Sequence, residues 1–553
     1  MKELSTHVIV ILKEIGIKTT ESMIEIPPDP GLGDFAFPCF SLAKEFKKSP
    51  AEIAKELLDK ITVRTPFSKV ENNGPYLNFF VDSHYIAEYS LKSQQKKEDD
   101  KRETIMVEFS SPNTNKPLHL GHLRNMILGN SLSTIIKEKG HNVIKACLVN
   151  DRGVHICKSM LMYEKFGEQG MPDKKPDHYV GDFYVLFNKK VQENPELEQE
   201  AQEMLQRWEN GDKEIHDIWR LMNNWANEGF QETYDRLGIE FDKFYFESDI
   251  YKKGKDLVKK GLENGVFYDD EGAISVELGK LGKKVLLRKD GTSVYMTQDI
   301  FLAKKKFDDF SLDKSIYIVG SEQNLHFQQL FKILGIMGFS FAERCYHLSY
   351  GMVSLPEGKM KSREGTVVDA DDLITEMKEL AKEEIKKRHE LSEAELRRRA
   401  QIIGLGALRF YLLKTDPTKD MVYDPKTSIS FEGETGPYVQ YVYARISSIL
   451  RKSQQEISED IDFNLFNENE INIIKKISYF WDVAADAKSN MKPNLICRYL
   501  IDLCQMFNEY YHNTPVLKAD EEQKKARLLL INKIKKTIAD GLFMLNIDVL
   551  EEM

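Results

Sequence analysis

A chain of 553 residues is too long to close around one hydrophobic core, and 41% apolar with 30% charged residues excludes a mainly disordered or membrane-spanning protein. A net charge of −10 excludes indiscriminate adhesion to polyanions, so any nucleic-acid partner must be met by local basic surfaces. Six scattered cysteines without a Cys-x-x-Cys pair exclude that type of zinc or redox site; with no signal-peptide core and no apolar run of about 18 residues, the expected compartment is the cytoplasm and no membrane is expected.

Three domains are expected in chain order. The first, 1–95, reads as a small α+β unit: an amphipathic opening helix, a turn region at Gly33-Asp-Phe-Ala-Phe-Pro38, a Lys/Glu-rich helix from Ser49 to Ile61 and a strand over Tyr76–Val81. The run Lys92–Glu103 has no apolar residue and marks a solvated helix end or linker. The second domain, 96–395, begins with the apolar strand Thr104–Phe109, then the loop formers Ser110–Pro117. Apolar residues at helical spacing follow from Leu120 to Ile136, Gly140 stops the helix, and Val143–Val149 is a second buried strand. This is a βαβ unit of an open parallel sheet. After a long polar insertion that includes Asn188–Asp217, strand and helix patterns resume at Ser315–Val319 and Asn324–Ile336. In the third domain, 396–553, strands vanish and amphipathic helices such as Tyr438–Leu450 and Asn494–Tyr511 dominate. The fold class is α/β: a Rossmann-like doubly wound catalytic domain between an α+β module and an all-α domain.

The loop Ser110–Pro117 sits at the carboxyl end of a strand and before a helix N-terminus, the place where parallel sheets bind phosphates. His119 and His122 lie three residues apart and share one face of the first turn, and Gly121 removes a side chain that would keep a nucleotide away. Imidazole donors there stabilise charge growing on a phosphate; the plainer reading is two surface histidines capping a helix. Downstream, Lys359 and Lys361 in Glu357-Gly-Lys-Met-Lys-Ser-Arg-Glu-Gly365 are placed to reach leaving phosphates, unless the run is only a solvated basic loop.

Together, in this order, His119-Leu-Gly-His122 and Lys359-Met-Lys-Ser362 resemble the two signatures of the class I aminoacyl-tRNA synthetases. The whole stretch Val107–Arg124 is similar to the arginyl-tRNA synthetase family, and the likeness extends from Asn73–Phe80 to Val439–Ile446 and Phe507–His512. Two departures stand out: Lys361 and Ser362 invert the usual order of the second signature, and His155 follows Asn150-Asp-Arg-Gly153 where many relatives place a glutamine.

The resemblance implies a catalytic set of His119, Gly121, His122, Lys359 and Lys361, with Pro112, Lys116, Leu118, Leu120, Met360 and Ser362 at ATP. It also implies arginine binding by Asn113, His155, Tyr295, Asp299 and Gln323. On chemical grounds a guanidinium calls for a facing carboxylate with an aromatic or hydroxyl group beside it, and Tyr295 and Asp299 lie one turn apart if a helix begins there. The implied reaction joins L-arginine to tRNA(Arg) through an adenylate, using ATP with Mg²⁺ as the substrate complex and no structural metal, in a monomer. The helical domain would read the anticodon and the N-terminal module would touch the tRNA. Interleaved Tyr438, Tyr441, Tyr443, Arg445 and Arg451 suit base stacking and phosphate neutralisation, with core packing as the alternative for most of the tyrosines.

Overall fold

The computed structural model describes residues 2–27, 29–92, 98–167, 170–356 and 368–553. At its centre is a five-stranded parallel sheet of β1 (Thr104–Glu108), β2 (Asn142–Val149), β3 (Lys243–Phe246), β4 (Lys314–Gly320) and β5 (Cys345–Tyr350), in the spatial order β5-β4-β1-β2-β3. The chain winds outward from β1 to β3, then crosses back to lay β4 on the other side of β1. The switch point, where a doubly wound sheet opens a crevice, therefore lies between β1 and β4. Helix α1 (Leu120–Glu138) joins β1 to β2 and packs into a core shared with the C-terminal helices. Helices α2 (Tyr295–Phe310) and α3 (Asn324–Ile336) cover the other face around Met296, Ile300, Leu330 and Ile333.

The expected strands of the βαβ unit and the helix Asn324–Ile336 are observed, the strands carrying the apolar stretches Ile105–Val107 and Ala146–Val149 typical of a covered parallel sheet. Several expectations need correction. Phe35–Pro38 is a strand rather than a turn: the Asp34 carboxylate accepts the Val81 N–H at 2.8 Å, and residues 35–38 pair antiparallel with Tyr76–Val81, which also pairs with Phe67–Asn73. The helix read over Ser49–Ile61 spans Pro50–Leu58, opened by Ser49 and Glu52 capping each other's backbone N–H groups.

The charged run after Lys92 is not simply solvated. The Asp99 carboxylate accepts His141 Nε2–H at 3.1 Å and pairs with Lys139 and Lys488, tying the start of the catalytic domain to a C-terminal helix. The boundary at residue 95 falls outside the described residues. The insertion is three helices, Pro176–Glu193, Glu196–Glu209 and Lys213–Arg236, which close a core with the helix Val154–Phe166 around Met160, Phe187, Met204, Trp208 and Trp225. Between β3 and α2 stands an antiparallel three-stranded sheet, Tyr268–Asp270, Ala273–Glu277 and Lys283–Leu287. Strands do not vanish beyond residue 396: Met421–Val422 pairs in parallel with Val353–Ser354, just past β5. The remaining third domain is helical, including Glu393–Lys414, Gly436–Ser453, Asn494–Asn513 and Glu521–Met544. No helix among the described residues is long and apolar enough to cross a membrane.

Candidate active site

At the switch point a cavity of about 450 Å³ is lined by Ser110 and Ser111 beyond β1, by His119, Gly121 and His122 of α1, and by Gly320, Glu322, Gln323, Tyr350 and Met352 beyond β4 and β5. The loop leaving β1 is bent hard. Ser110 and Ser111 both have left-handed backbones (φ 72° and 47°), a conformation that costs a non-glycine residue about 1 kcal/mol or more. Asn125 holds the bend, accepting the Ser110 N–H while its own amide donates to the Ile318 carbonyl of β4, and the Ser110 hydroxyl meets Tyr234 at 2.8 Å. Farther along, Asn113 forms a parallel bridge to Asn150, whose side chain donates to the carbonyls of Ser111 and Pro112. The loop after β1 is thereby fixed to the end of β2.

The two histidines cap the helix and also line the cavity, so both sequence readings hold at once. His119 Nδ1 accepts the Gly121 N–H at 3.1 Å, and His122 Nδ1 accepts the His119 N–H at 3.2 Å, with ring centroids 3.9 Å apart. With each Nδ1 occupied as an acceptor, the proton of each neutral ring sits on Nε2. Neutrality is enforced: burial and the nearby Lys116 charge push His119 down to about 4 against the pull of Asp369, and burial, His119 and Lys116 hold His122 well below the usual histidine range. The site therefore offers two uncharged N–H donors at a helix N-terminus. Gly121 is needed for a second reason, since a Cβ there would lie 2.9 Å from His119 Cε1.

Lys116 is partly buried, its pKa lowered by desolvation, and has no carboxylate partner among the described residues. Pro112, Leu118 and Leu120 are buried; Leu120 is fully enclosed in the core, so its contribution at the cavity is confined to backbone. The Leu120 N–H donates to Val368 and the Ala370 N–H to Leu118, which stitches residues 368–370 onto the histidine segment. Lys359, Met360, Lys361 and Ser362 lie outside the described residues.

A second cavity of about 450 Å³ is lined by Arg152, Glu209, Glu247, Arg288, Tyr295 and Gln298, among others. Tyr295 opens α2 with its side chain exposed, and Asp299 stands one turn on, accepting His326 Nε2–H at 2.6 Å. Tyr295 and Asp299 stand one turn apart on α2; Tyr295 lines the second cavity and Asp299 lines neither, while Gln323 lines the first. His155 is exposed on the first turn of Val154–Phe166; its carbonyl accepts from Asn115 and its ring lies 6.4 Å from Tyr184. Neither His155 nor Asn113 lines either cavity.

Two residues the sequence reading passed over complete the picture. Glu247, at the carboxyl end of β3, is 5% exposed; burial pushes its carboxyl up to about 7, opposed by Arg152 at 3.9 Å and a hydrogen bond from Gln298, with Asp151 and Asp299 adding to the rise. Arg124, one turn into α1, is fully buried and donates to the carbonyls of Gly351, Met352, Pro417 and Lys419. It fixes the Met352 wall of the cavity against both α1 and the chain entering the third domain. His178, Asp369 and Asp371 bring donor atoms within 4.8 Å of one another, but Lys175 and Arg236 already pair with Asp371 at 2.9 and 2.6 Å.

In the third domain the expected residues separate into two groups. Tyr443 is buried and donates to Glu551, and Arg451 pairs with Glu552, so the chain end occupies both. Tyr438, Tyr441 and Arg445 form a half-buried cluster with Asn508 and the exposed Tyr511.

Comparison with known proteins agrees with this architecture. Residues 2–81 match the arginyl tRNA synthetase N terminal domain, residues 86–425 the catalytic domain of tRNA synthetases class I (R), and residues 439–553 the DALR anticodon binding domain. An arginine--tRNA ligase of Treponema denticola is 46% identical over 559 residues, covering 96% of this chain and 94% of its own. One from Parabacteroides distasonis is 47% identical over 480 residues, covering 81% and 80%. The solved Thermus thermophilus arginyl-tRNA synthetase superposes over 100% of both chains with a TM-score of 0.84 at 26% identity. The fold is that of the class I tRNA synthetases. Within that class, the chain belongs to the arginyl-tRNA synthetase family.

Proposed function

We propose that the chain attaches L-arginine to tRNA(Arg), using ATP and releasing AMP and pyrophosphate by way of an arginyl-adenylate. The observation that carries this reading is the pairing of a neutral, backbone-fixed donor wall with a carboxylate-lined cavity on neighbouring strand ends of one sheet. ATP lies in the switch-point cavity as its magnesium complex, with the metal brought by the phosphates rather than by a protein cage. The arginine carboxylate attacks the α-phosphorus in line, and His119 and His122 donate from Nε2 to the oxygens on which charge grows. Lys116, felt electrostatically at both imidazoles, supplies positive charge to the phosphates together with Lys359 and Lys361, whose inverted order with Ser362 is thereby less demanding.

The guanidinium sits between Asp299 and Glu247, with Tyr295 against it. Arginine binding displaces His326 from Asp299 and keeps Glu247 ionised. Asn113 and Gln323 position the α-amino and carboxylate end, and His155 stands nearer the path of the tRNA. The module 1–95 and the half-buried cluster of Tyr438, Tyr441 and Arg445 with the exposed Tyr511 in 396–553 bind the tRNA on either side of the catalytic domain 96–395. One chain supplies every site residue, so the working unit is a monomer. Six buried free thiols suit the reducing cytoplasm.

Charging of tRNA with a panel of twenty amino acids tests the proposal: arginine alone should be transferred, and transfer of another amino acid in its place would overturn the assignment. Adenylate formation requires bound tRNA, so arginine-dependent pyrophosphate exchange should appear only when tRNA is added.

A further inference from the structure

Arg152 follows Asp151 in the loop beyond β2, and that loop is clamped from two sides. The Asp151 carboxylate accepts the Ser248 N–H at 2.9 Å and the Ser248 hydroxyl at 2.6 Å, and Trp219 of the insertion donates from its indole to the Asp151 carbonyl. Arg152 is thereby set where the end of β2, the end of β3 and the insertion meet, with its side chain 6% exposed. Its guanidinium lies 4.0 Å from the centre of the Tyr251 ring and 5.5 Å from that of Trp208. Nη2 donates to Glu209 at 2.5 Å, while Nη1 stands 3.9 Å from Glu247, within ion-pair range but beyond a hydrogen bond.

This is a guanidinium site, filled by the chain's own arginine. An aromatic face and carboxylates are what a guanidinium calls for, and Glu247 is shared between Arg152 and the substrate placed beside it above. The contrast with Arg124 is informative. Arg124 spends its donors on four carbonyls and acts as a clasp, whereas Arg152 makes one hydrogen bond among the described residues and its buried Nε has no partner there. An arginine kept for packing alone would not leave a donor buried and unspent. The groups that face Glu247 are Arg152 and Asp151 from the loop after β2, and Tyr295, Gln298 and Asp299 from α2; of these only Arg152 is cationic.

We propose that Arg152 is a positioning residue of the arginine site, a guanidinium of the chain itself that keeps Glu247 paired while the pocket is empty and withdraws to Glu209 when the substrate guanidinium arrives. This rests on the placement of Glu247 at the substrate in the reading above. Through Glu209, the helical insertion then sets how tightly the pocket holds arginine.

The test is the KM for arginine in tRNA charging, followed across pH in two variants whose effects have opposite sign. Arg152→Ala removes the cation facing Glu247, so the carboxyl rises further; the pH at which KM levels off should move up by about one unit, leaving KM about fivefold higher at pH 7. In Glu209→Gln, Arg152 loses its stronger partner and turns to Glu247, so KM rises because an internal pair must be broken, yet its levelling point moves to lower pH. The kcat and the KM for ATP should hold in both. Guanidinium ion at millimolar concentration should refill the slot on Tyr251 in Arg152→Ala and return KM toward the native value, while urea, of the same shape without the charge, and ammonium should not; native protein, whose slot is full, should only be inhibited. If Arg152→Ala does not fold, Glu209→Gln carries the test by itself. Levelling points that move together or stay in place would overturn the inference, as would rescue by urea or ammonium equal to that by guanidinium. A Glu247→Gln protein with the native KM for arginine would instead remove Glu247 from the substrate, and the parent placement would fail with the inference.

Discussion

At the His119 wall the polar hydrogens are set by backbone. Each imidazole spends its Nδ1 on a main-chain N–H of the same helical turn, burial and Lys116 keep the rings uncharged, and the remaining Nε2 protons are fixed before any phosphate arrives. At the Tyr295 wall the groups are set by one another: Asp299 by His326, Glu247 by Arg152 and Gln298, Arg152 in turn by Glu209. One wall is preorganised for a charge that appears only in the transition state, where fixed dipoles act without reorganising. In the proposed reaction the other selects a cation already present in the ground state, with carboxylates that would exchange partners when it binds. Loss of the first should therefore fall on kcat, and loss of the second on arginine affinity.

The largest separation is expected from Asp299→Asn. Removing one charge of a guanidinium–carboxylate pair in a partly enclosed site leaves the other unanswered, a loss of about 10³ in kcat/KM for arginine, while the KM for ATP moves less than about twofold. Steady-state kinetics with each substrate varied in turn decides this, and equal losses for both substrates would erase the distinction between the walls. His122→Ala is expected to cost less, about 10² in kcat, with arginine KM preserved, as for removal of one fixed donor. Because both imidazoles are neutral throughout, native kcat should show no limb between pH 5 and 8 that disappears in His122→Ala; such a limb would mean that a charged imidazole takes part.

How far these walls were legible in the sequence follows the same division. The His119 wall was legible because its chemistry is local: helix, cap and glycine lie within four residues, and the strand before them carries the apolar run Ile105–Val107. Tyr295 and Asp299 were legible as a pair by helical spacing, but the His326 contact is not, since it joins α2 to α3 across 27 residues. Glu247 was invisible for a like reason. It opens a Lys/Glu-rich helix in which any glutamate reads as solvated, and only its place at the end of β3, four residues that carry little pattern of their own, marks it. The insertion was read as a long polar segment, but its helices and core were not, because the apolar stripe of Leu197, Ala201, Met204 and Trp208 is one residue wide in a strongly charged helix. That Tyr443 packs against Glu551 and Arg451 pairs with Glu552 is not visible in the sequence, because these partners lie about a hundred residues away.

Glu247 also supplies the smallest and sharpest test of the comparison. Its carboxyl, raised to about 7 by burial, is largely protonated in the arginine-free protein below neutrality. A guanidinium binds the ionised form, so below pH 7 each binding event must release a proton, and the KM for arginine should rise as pH falls from 8 to 6, approaching tenfold per unit at the acid end. Above pH 7 the proton is already gone and KM levels off. The sign follows from the elevation alone: a carboxyl left at its ordinary value near 4.5 would be ionised over the whole window and the KM would be flat. In Glu247→Gln the slope should vanish, leaving a KM that is higher at pH 8 yet independent of pH, with kcat close to that of the native protein because the His119 wall is untouched. A slope that survives the substitution would place the titrating group elsewhere and return selection of the guanidinium to Asp299 alone.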